Sequence, residues 1–218
     1  MHSFFDPSIT SLKVCGVTLA EDARQLIAEG IPALGVNFWP QSKRYLAPDR
    51  AAVFLPALKD QILRVGVFVN AQPIDVLYLL ENNIIDVAQF HGDESPEYCR
   101  TFADTGHAFI RALGVKNADS ISNILDYQAT AILLDTHAPG IYGGTGDTFD
   151  WNLAKKVVDE NPELPIILAG GITSVNAEEA TRAVRPAALD LASGSESAPG
   201  IKDFGKIRAI QAGIRSAG

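Results

Sequence analysis

Short apolar segments alternate with amphipathic stretches along the whole chain, and this alternation restricts the possible folds more than any other feature. The apolar segments have the length and composition of strands and lie at 12–15, 33–39, 63–70, 86–90, 108–113, 131–136, 165–170 and 188–193. Stretches with apolar residues at helical spacing lie between and after them, at 20–29, 74–80, 96–102, 119–127, 150–158, 176–184 and 203–214. Strands that alternate with helices indicate a parallel sheet built from right-handed crossovers.

Eight strand segments that alternate with helical stretches predict an α/β fold, a single-domain (β/α)8 TIM barrel over residues 1–218. The length fits one such domain. An open, doubly wound sheet is the competing interpretation. That fold usually carries a glycine-rich turn after its first strand, and Cys15-Gly16-Val17-Thr18 is no dinucleotide-binding fingerprint, so the barrel is favoured.

The composition excludes several classes of partner. A net charge of −8 argues against general affinity for nucleic acid or anionic membranes. Two cysteines, Cys15 and Cys99, provide neither a disulfide framework nor a cluster of metal ligands. The N-terminus does not resemble a signal peptide, and no apolar run is long enough to span a membrane, so we expect a cytoplasmic protein.

In a barrel, the polar residues at the carboxyl ends of the strands meet at one mouth. The residues expected there are Cys15, Asn37, Asn70, Gln89, His91, Arg111, Asp135, Gly170, Gly171, Ser193 and Gly194. Cys15 ends the first strand, and Thr18 is expected to cap the helix that follows it. A free cysteine is often a small buried hydrophobe, and that alternative stays open for Cys15.

Two glycine-containing loops predict a phosphate site. Gly170-Gly171 and Ser193-Gly194 follow the seventh and eighth strands, where such barrels usually bind phosphate through backbone N–H groups and a helix N-terminus. The alternative is that these glycines only form tight turns.

Asp135 ends a strongly apolar strand. A carboxyl group there is desolvated unless it faces the mouth, and desolvation favours the protonated form that a general acid needs. Asp135 could instead cap the next loop. That loop contains Gly140, Gly143, Gly144 and Gly146, and a loop so rich in glycine can close over a ligand.

Arg44 follows the second strand in the sequence Ser42-Lys43-Arg44-Tyr45. An arginine here can bind a ligand carboxylate through two hydrogen bonds, although a solvated basic pair explains the pattern equally well. His91 lies just past the fourth strand, where it either faces a ligand or plays a structural part.

Taken together, these stretches resemble the phosphoribosylanthranilate isomerase family, the Amadori isomerases of tryptophan biosynthesis. The resemblance extends from residue 13 to about residue 206. The blocks that carry it are KVCGVT, SKRYL, VGVFVN, AQFHGDE, LLDT with GGTGDTFDW, ILAGGIT, and DLASGSE with GIKD.

The resemblance implies a role for each candidate residue. Cys15 matches the general base that takes the C2′ proton, and Asp135 matches the general acid that protonates the ribose ring oxygen. Arg44 matches the arginine that faces the anthranilate carboxylate. His91 is implied to contact the substrate, and the AGG and SGSE blocks match the phosphate site. No cofactor and no metal are implied. The implied partner is a small phosphorylated substrate, with pathway enzymes as possible neighbours and the chain as a monomer or homodimer.

Two rival functions remain at this stage. The Amadori isomerase of histidine biosynthesis uses a pair of aspartates, whereas the first strand here ends in Cys15. The second rival is a catalytically idle barrel that binds a phosphorylated ligand. The presence of both Cys15 and Asp135 argues against this function.

Overall fold

A computed structural model describes residues 2–136 and 149–218, and its centre is a barrel of eight parallel strands. The strands are β1 Ser11–Val14, β2 Ala33–Asn37, β3 Leu63–Phe68, β4 Val87–Phe90, β5 Phe109–Val115, β6 Ala131–Thr136, β7 Ile166–Leu168 and β8 Ala188–Leu191. The predicted glycine-rich segment after Asp135 lies outside the described residues.

Pairing of the first strand with the last closes the barrel. β1 lies parallel to β8 in a register that sets Lys13 opposite Asp190, and β1 also pairs with β2. Each remaining strand pairs with its neighbours in sequence order. The predicted barrel is therefore confirmed, and an open sheet is excluded.

Helices connect most consecutive strands on the outside of the barrel. The helices are α1 Ala20–Ala28, α2 Pro48–Phe54, α3 Pro73–Glu81, α4 Pro96–Asp104, α5 Trp151–Glu160, α6 Ala177–Val184 and α7 Phe204–Ala217. Several begin at the signals that the sequence carries. Proline occupies the first turn of α2, α3 and α4, while the side chains of Asp150 and Asp203 accept hydrogen bonds from the first turns of α5 and α7.

The prediction of one α-helix at 119–127 is wrong. Two short 3-10 helices, Ala118–Ile121 and Ile124–Tyr127, replace it. The side chain of Asn117 accepts a hydrogen bond from the Ser120 N–H, and the Ser122 hydroxyl donates to the Asp119 carbonyl. Such short-range bonds from asparagine and serine compete with an α-helix, so the apolar spacing is right but the helix type is not.

The structure differs from the sequence prediction in two further places, after the first strand and after the eighth. Thr18 does not cap α1; Leu19 precedes that helix without a side-chain cap, and the Thr18 hydroxyl donates to the Gly200 carbonyl at 2.8 Å. Gly200 belongs to the turn of a small antiparallel hairpin, β9 Glu196–Ala198 and β10 Ile201–Lys202, which the sequence pattern did not predict.

Alternate residues of each strand fill the barrel interior, as the two-residue period of a strand requires. The lower interior is apolar, with Leu63, Val65, Ile110 and Leu133 among its buried residues. The short 3-10 helix Ser3–Phe5 packs two phenylalanines against this cluster and covers the amino ends of the strands. The opposite end of the barrel is left for the polar residues.

No helix among residues 2–136 and 149–218 is both long and apolar enough to cross a membrane. The cytoplasmic location stays a prediction from the sequence.

Candidate active site

A cleft of about 310 Å³ opens at the carboxyl ends of the strands. All eight of the catalytic and substrate-binding residues predicted from the sequence line it: Cys15, Arg44, His91, Asp135, Gly170, Gly171, Ser193 and Gly194. Asn37, Trp39, Gln89 and Asp190 also contribute to the walls. The closed barrel is what brings together residues that are up to 179 positions apart, from Cys15 to Gly194.

Cys15 follows the last residue of β1, and its exposed fraction is 9%. Lys13, two residues earlier on the same face of the strand, is fully buried and forms an ion pair of 2.9 Å between Nζ and Asp190 Oδ1. Gly35 on β2 provides the space: a Cβ there would lie 2.7 Å from Cys15 Sγ and 3.0 Å from Lys13 Nζ. The thiol and the ammonium group therefore share one small volume inside the barrel.

Burial raises the pKa of the Cys15 thiol above its ordinary value. The positive charge of Lys13 opposes this effect, the carboxylate of Asp190 adds to it, and Lys202 lowers the pKa again. Desolvation is the largest of these influences. In the free protein the thiol form is therefore favoured at neutral pH.

Asp135 lies at the end of β6 with both carboxyl oxygens occupied. Its Oδ1 accepts a hydrogen bond from the Thr136 N–H at 2.7 Å, and its Oδ2 lies 3.2 Å from His91 Nε2. Gln89 Nε2 is 3.1 Å from His91 Nδ1. With the amide assigned in this orientation, Gln89 donates to Nδ1, and the other ring nitrogen, Nε2, faces Asp135.

The backbone around His91 is held from below by Arg111. Its Nη1 donates to the Phe90 carbonyl at 2.8 Å and its Nη2 donates to the Gly92 carbonyl at 3.0 Å, so the guanidinium binds on both sides of His91. Arg111 was expected at the mouth with Asn70, but neither residue lines the cleft. Arg111 is buried beneath the loop, where it supports His91 instead of facing a ligand.

Arg44 lines the cleft, but part of its guanidinium is already paired. Nε and Nη2 donate to the carboxylate of Glu196, with the closest contact 2.7 Å long, and this ion pair raises the pKa of Arg44. Glu196 also binds Lys202, whose Nζ donates to the Cys15 carbonyl at 2.5 Å. Within the described residues Arg44 Nη1 has no hydrogen-bond partner, so it is the nitrogen left for a ligand.

The two predicted phosphate loops touch each other. A Cβ added at Gly194 would lie 1.9 Å from the Ile172 carbonyl oxygen, so glycine is required for this approach. Gly170 and Gly171 have φ angles of +81° and +63°, which favour glycine. In the described part of the chain, the amides of Gly171 and Gly194 have no backbone or side-chain acceptor. The loops thus present donors to the cleft.

Four charged residues of the site were not among the candidates: Lys13, Asp190, Glu196 and Lys202. The signal for the first two was present in the sequence. Each is a charged residue within an apolar strand, at an inward position by the two-residue period. Glu196 and Lys202 lie on the unexpected hairpin, and their place beside Arg44 and Cys15 depends on its fold.

Comparison with known proteins identifies the family. Residues 12–212 match the family model described as N-(5′-phosphoribosyl)anthranilate (PRA) isomerase. An N-(5′-phosphoribosyl)anthranilate isomerase from Acidithiobacillus ferrooxidans is 42% identical over 210 residues, covering 94% of this chain and 97% of that protein.

The chain belongs to the PRA isomerase family.

Solved structures of PRA isomerases share the fold. That of the Thermotoga maritima protein has a TM-score of 0.85 and 35% identity, and the match covers 95% of this chain and all of that one. A second, in complex with reduced 1-(o-carboxyphenylamino)-1-deoxyribulose 5-phosphate, has a TM-score of 0.80 and 34% identity, with coverage of 96% of this chain and 98% of that chain. The likeness therefore extends over nearly the whole barrel.

Proposed function

We propose that this chain converts N-(5′-phosphoribosyl)anthranilate into 1-(o-carboxyphenylamino)-1-deoxyribulose 5-phosphate by an Amadori rearrangement, in tryptophan biosynthesis. One observation carries the proposal. A thiol at the end of β1 and a carboxyl group at the end of β6 line the same cleft as two loops with available amides. Membership of the PRA isomerase family supports it, as does the relative bound to a reduced form of this product.

The first step opens the ribose ring, and Asp135 is the proposed acid. Its carboxyl proton passes to the ring oxygen as the bond from that oxygen to C1′ breaks, and the anthranilate nitrogen forms a double bond to C1′. Asp135 is then a carboxylate, and the N–H groups of Thr136 and His91 are placed to stabilise its two oxygens.

The second step removes the C2′ proton, and Cys15 is the proposed base. The thiolate takes the proton and the C2′–H electron pair forms the C1′–C2′ double bond of an enolamine, which neutralises the nitrogen. Tautomerisation of this enolamine gives the ketone product. Proton transfers of this kind contribute roughly 10²- to 10⁴-fold each.

Binding is divided between the two sides of the cleft. On the side of Arg44 we propose contact between Nη1 and the anthranilate carboxylate, with Glu196 fixing the plane of the guanidinium. On the other side, the amides of Gly171 and Gly194 are the proposed donors to the phosphate. With this division, we propose that the ribose lies between Cys15 and Asp135.

Turnover of synthetic N-(5′-phosphoribosyl)anthranilate, followed by the loss of its fluorescence, tests the proposal. We expect turnover by the wild-type protein, and a loss of roughly 10²- to 10⁴-fold in kcat for Cys15→Ala and for Asp135→Asn with folding retained. Conversion of the histidine-pathway aminoaldose in its place would indicate the other Amadori isomerase. Binding of phosphorylated ligands without any turnover would indicate the idle barrel.

A further inference from the structure

A fully buried ammonium group inside the barrel has no part in the chemistry described so far. Lys13 is 0% exposed, and its recorded ion-pair partner is Asp190, itself 8% exposed. Burial of a charge is costly, and a buried ion pair is often no more stabilising than apolar residues of the same volume. Stability alone is therefore a weak reason for the pair.

The position of Lys13 points to Cys15. The two residues are at i and i+2 on β1, so both side chains enter the barrel on one face. Both are also in contact range of the same point on β2, since the space that a Cβ of Gly35 would fill is bounded by Cys15 Sγ and Lys13 Nζ. Asp190 is opposite Lys13 in the β1–β8 register and holds the ammonium from the other side.

The charged groups around Cys15 come from four elements. Lys13 lies on β1, Asp190 on β8, Lys202 on β10 and Arg44 in the segment after β2. Arg44 and Lys202 are both paired with Glu196, which offsets much of their charge. Lys13 is paired with a single carboxylate, and it is the largest influence that opposes the effect of burial on the thiol.

We propose that Lys13 is a positioning residue that favours the thiolate form of Cys15, and that Asp190 competes with the thiolate for the Lys13 ammonium. The proposal rests on the proposed function, because only a base at Cys15 needs a thiolate. Lys13 contacts neither the phosphate nor the anthranilate carboxylate of the substrate in this scheme. Its effect is exerted through the sulfur.

The proposal makes Lys13 and Asp190 act in opposite directions on one measurable quantity. The test measures the thiolate absorbance of free protein against pH in a Cys99→Ala background, together with the pH dependence of alkylation by iodoacetamide. Lys13→Met is expected to reduce the thiolate fraction at neutral pH about tenfold or more, since an opposite charge at this range shifts a pKa by about one to three units. Asp190→Asn is expected to increase the thiolate fraction, and Lys13→Arg is expected to retain most of it.

A purely structural pair would behave differently, because both variants break the same ion pair and would have the same effect. An unchanged titration in Lys13→Met, or shifts in the same direction for Lys13→Met and Asp190→Asn, would overturn the proposal. Should Lys13→Met fail to fold, the other two variants still test the proposal. It predicts a higher thiolate fraction in Asp190→Asn and a largely unchanged thiolate fraction in Lys13→Arg. Arg64→Met is the control, since Arg64 on β3 is an equally buried cation that pairs with Asp86, away from the cleft.

Failure of the proposed function is a separate result. It would be seen as full turnover by Cys15→Ala, whereas the titrations above use free protein and need no substrate. Where both proposals hold, kcat/KM of Lys13→Met falls at neutral pH in proportion to the thiolate fraction and recovers as the pH is raised.

Discussion

His91 Nε2 lies 3.2 Å from Asp135 Oδ2, and this contact connects the segment after β4 with the end of β6. Gln89 orients the ring from its other nitrogen, while Arg111 holds the carbonyls on both sides of His91. The histidine predicted to face a ligand thus also faces the predicted acid. We expect His91 to assist the reaction by stabilising the carboxylate of Asp135 as it forms.

His91→Ala is expected to lower kcat about ten- to a hundredfold, because a hydrogen bond to a charged group contributes about 1.5–3 kcal/mol. KM is expected to change little, since the bond is to Asp135 and forms fully only as its proton leaves. His107→Ala is the control, because His107 is half-buried between α4 and β5 and does not line the cleft. Steady-state kinetics check this. A rise in KM with an unchanged kcat would instead assign His91 to substrate binding.

Arg44→Ala is expected to raise KM for the substrate that carries the anthranilate carboxylate. An aniline analogue without the carboxylate should bind both proteins nearly equally. Because Arg44 is also paired with Glu196, Glu196→Gln is the informative companion, and it should weaken carboxylate binding less than Arg44→Ala does. Equal losses for both compounds would show that Arg44 acts through the structure of the hairpin and not through the carboxylate.

The activity is expected to rise with pH on the alkaline side of neutrality. Burial raises the pKa of Cys15, so at neutral pH most molecules carry the thiol, and each rise in pH toward that pKa increases the fraction with a thiolate base. The pH profile of kcat/KM reports groups of the free enzyme and is the measurement. Cys99→Ala should keep the same profile, because the pKa of Cys99 is raised to about 11 and its side chain is outside the cleft. A flat profile through this range would contradict a thiolate base.

Gly194→Ala is expected to weaken binding of inorganic phosphate about tenfold or more. The added methyl would lie 1.9 Å from the Ile172 carbonyl oxygen and must push the two phosphate loops apart, which removes hydrogen bonds to a charged ligand. The inhibition constant of phosphate as a competitive inhibitor measures this change in binding. Ser197→Ala, exposed on the nearby hairpin, should leave the inhibition unchanged. Unaltered phosphate binding by Gly194→Ala would place the anion elsewhere.

Phe5→Ala is expected to lower the free energy of unfolding by about 3–5 kcal/mol, the usual loss for a buried phenylalanine. Phe5 is 3% exposed and packs with Phe4 against the apolar end of the barrel interior. Urea unfolding measures the change, and Val53→Ala, at a position 84% exposed, is the control with an expected change within about 0.5 kcal/mol. A loss as small as that of the control would show that the N-terminal segment does not stabilise the barrel.

The sequence predicted most of the barrel because strand and helix periods are local properties. Cys15 and Asp135 could be placed at the mouth without coordinates because each ends a predicted strand, and the carboxyl ends of barrel strands meet at one mouth. Local bonding explains the failure at 119–127, where Asn117 and Ser122 bond to nearby backbone and favour 3-10 turns. Strand ends were predicted too long at Ala33–Asn37 and Ile166–Leu168, because apolar residues continue into the loops that line the cleft.

The sequence by itself determined the fold class, the family resemblance and the eight candidate residues, since each rests on residue types and their spacing along the chain. Only the tertiary structure decided which groups pair. Closure of β1 on β8 sets Lys13 against Asp190, and the β9–β10 hairpin carries Glu196 to Arg44. The tertiary structure also shows that Arg111 and Asn70, which were expected at the mouth, do not line the cleft. Charge pairing depends on distances through space between residues far apart in the chain, and one-dimensional spacing does not contain those distances.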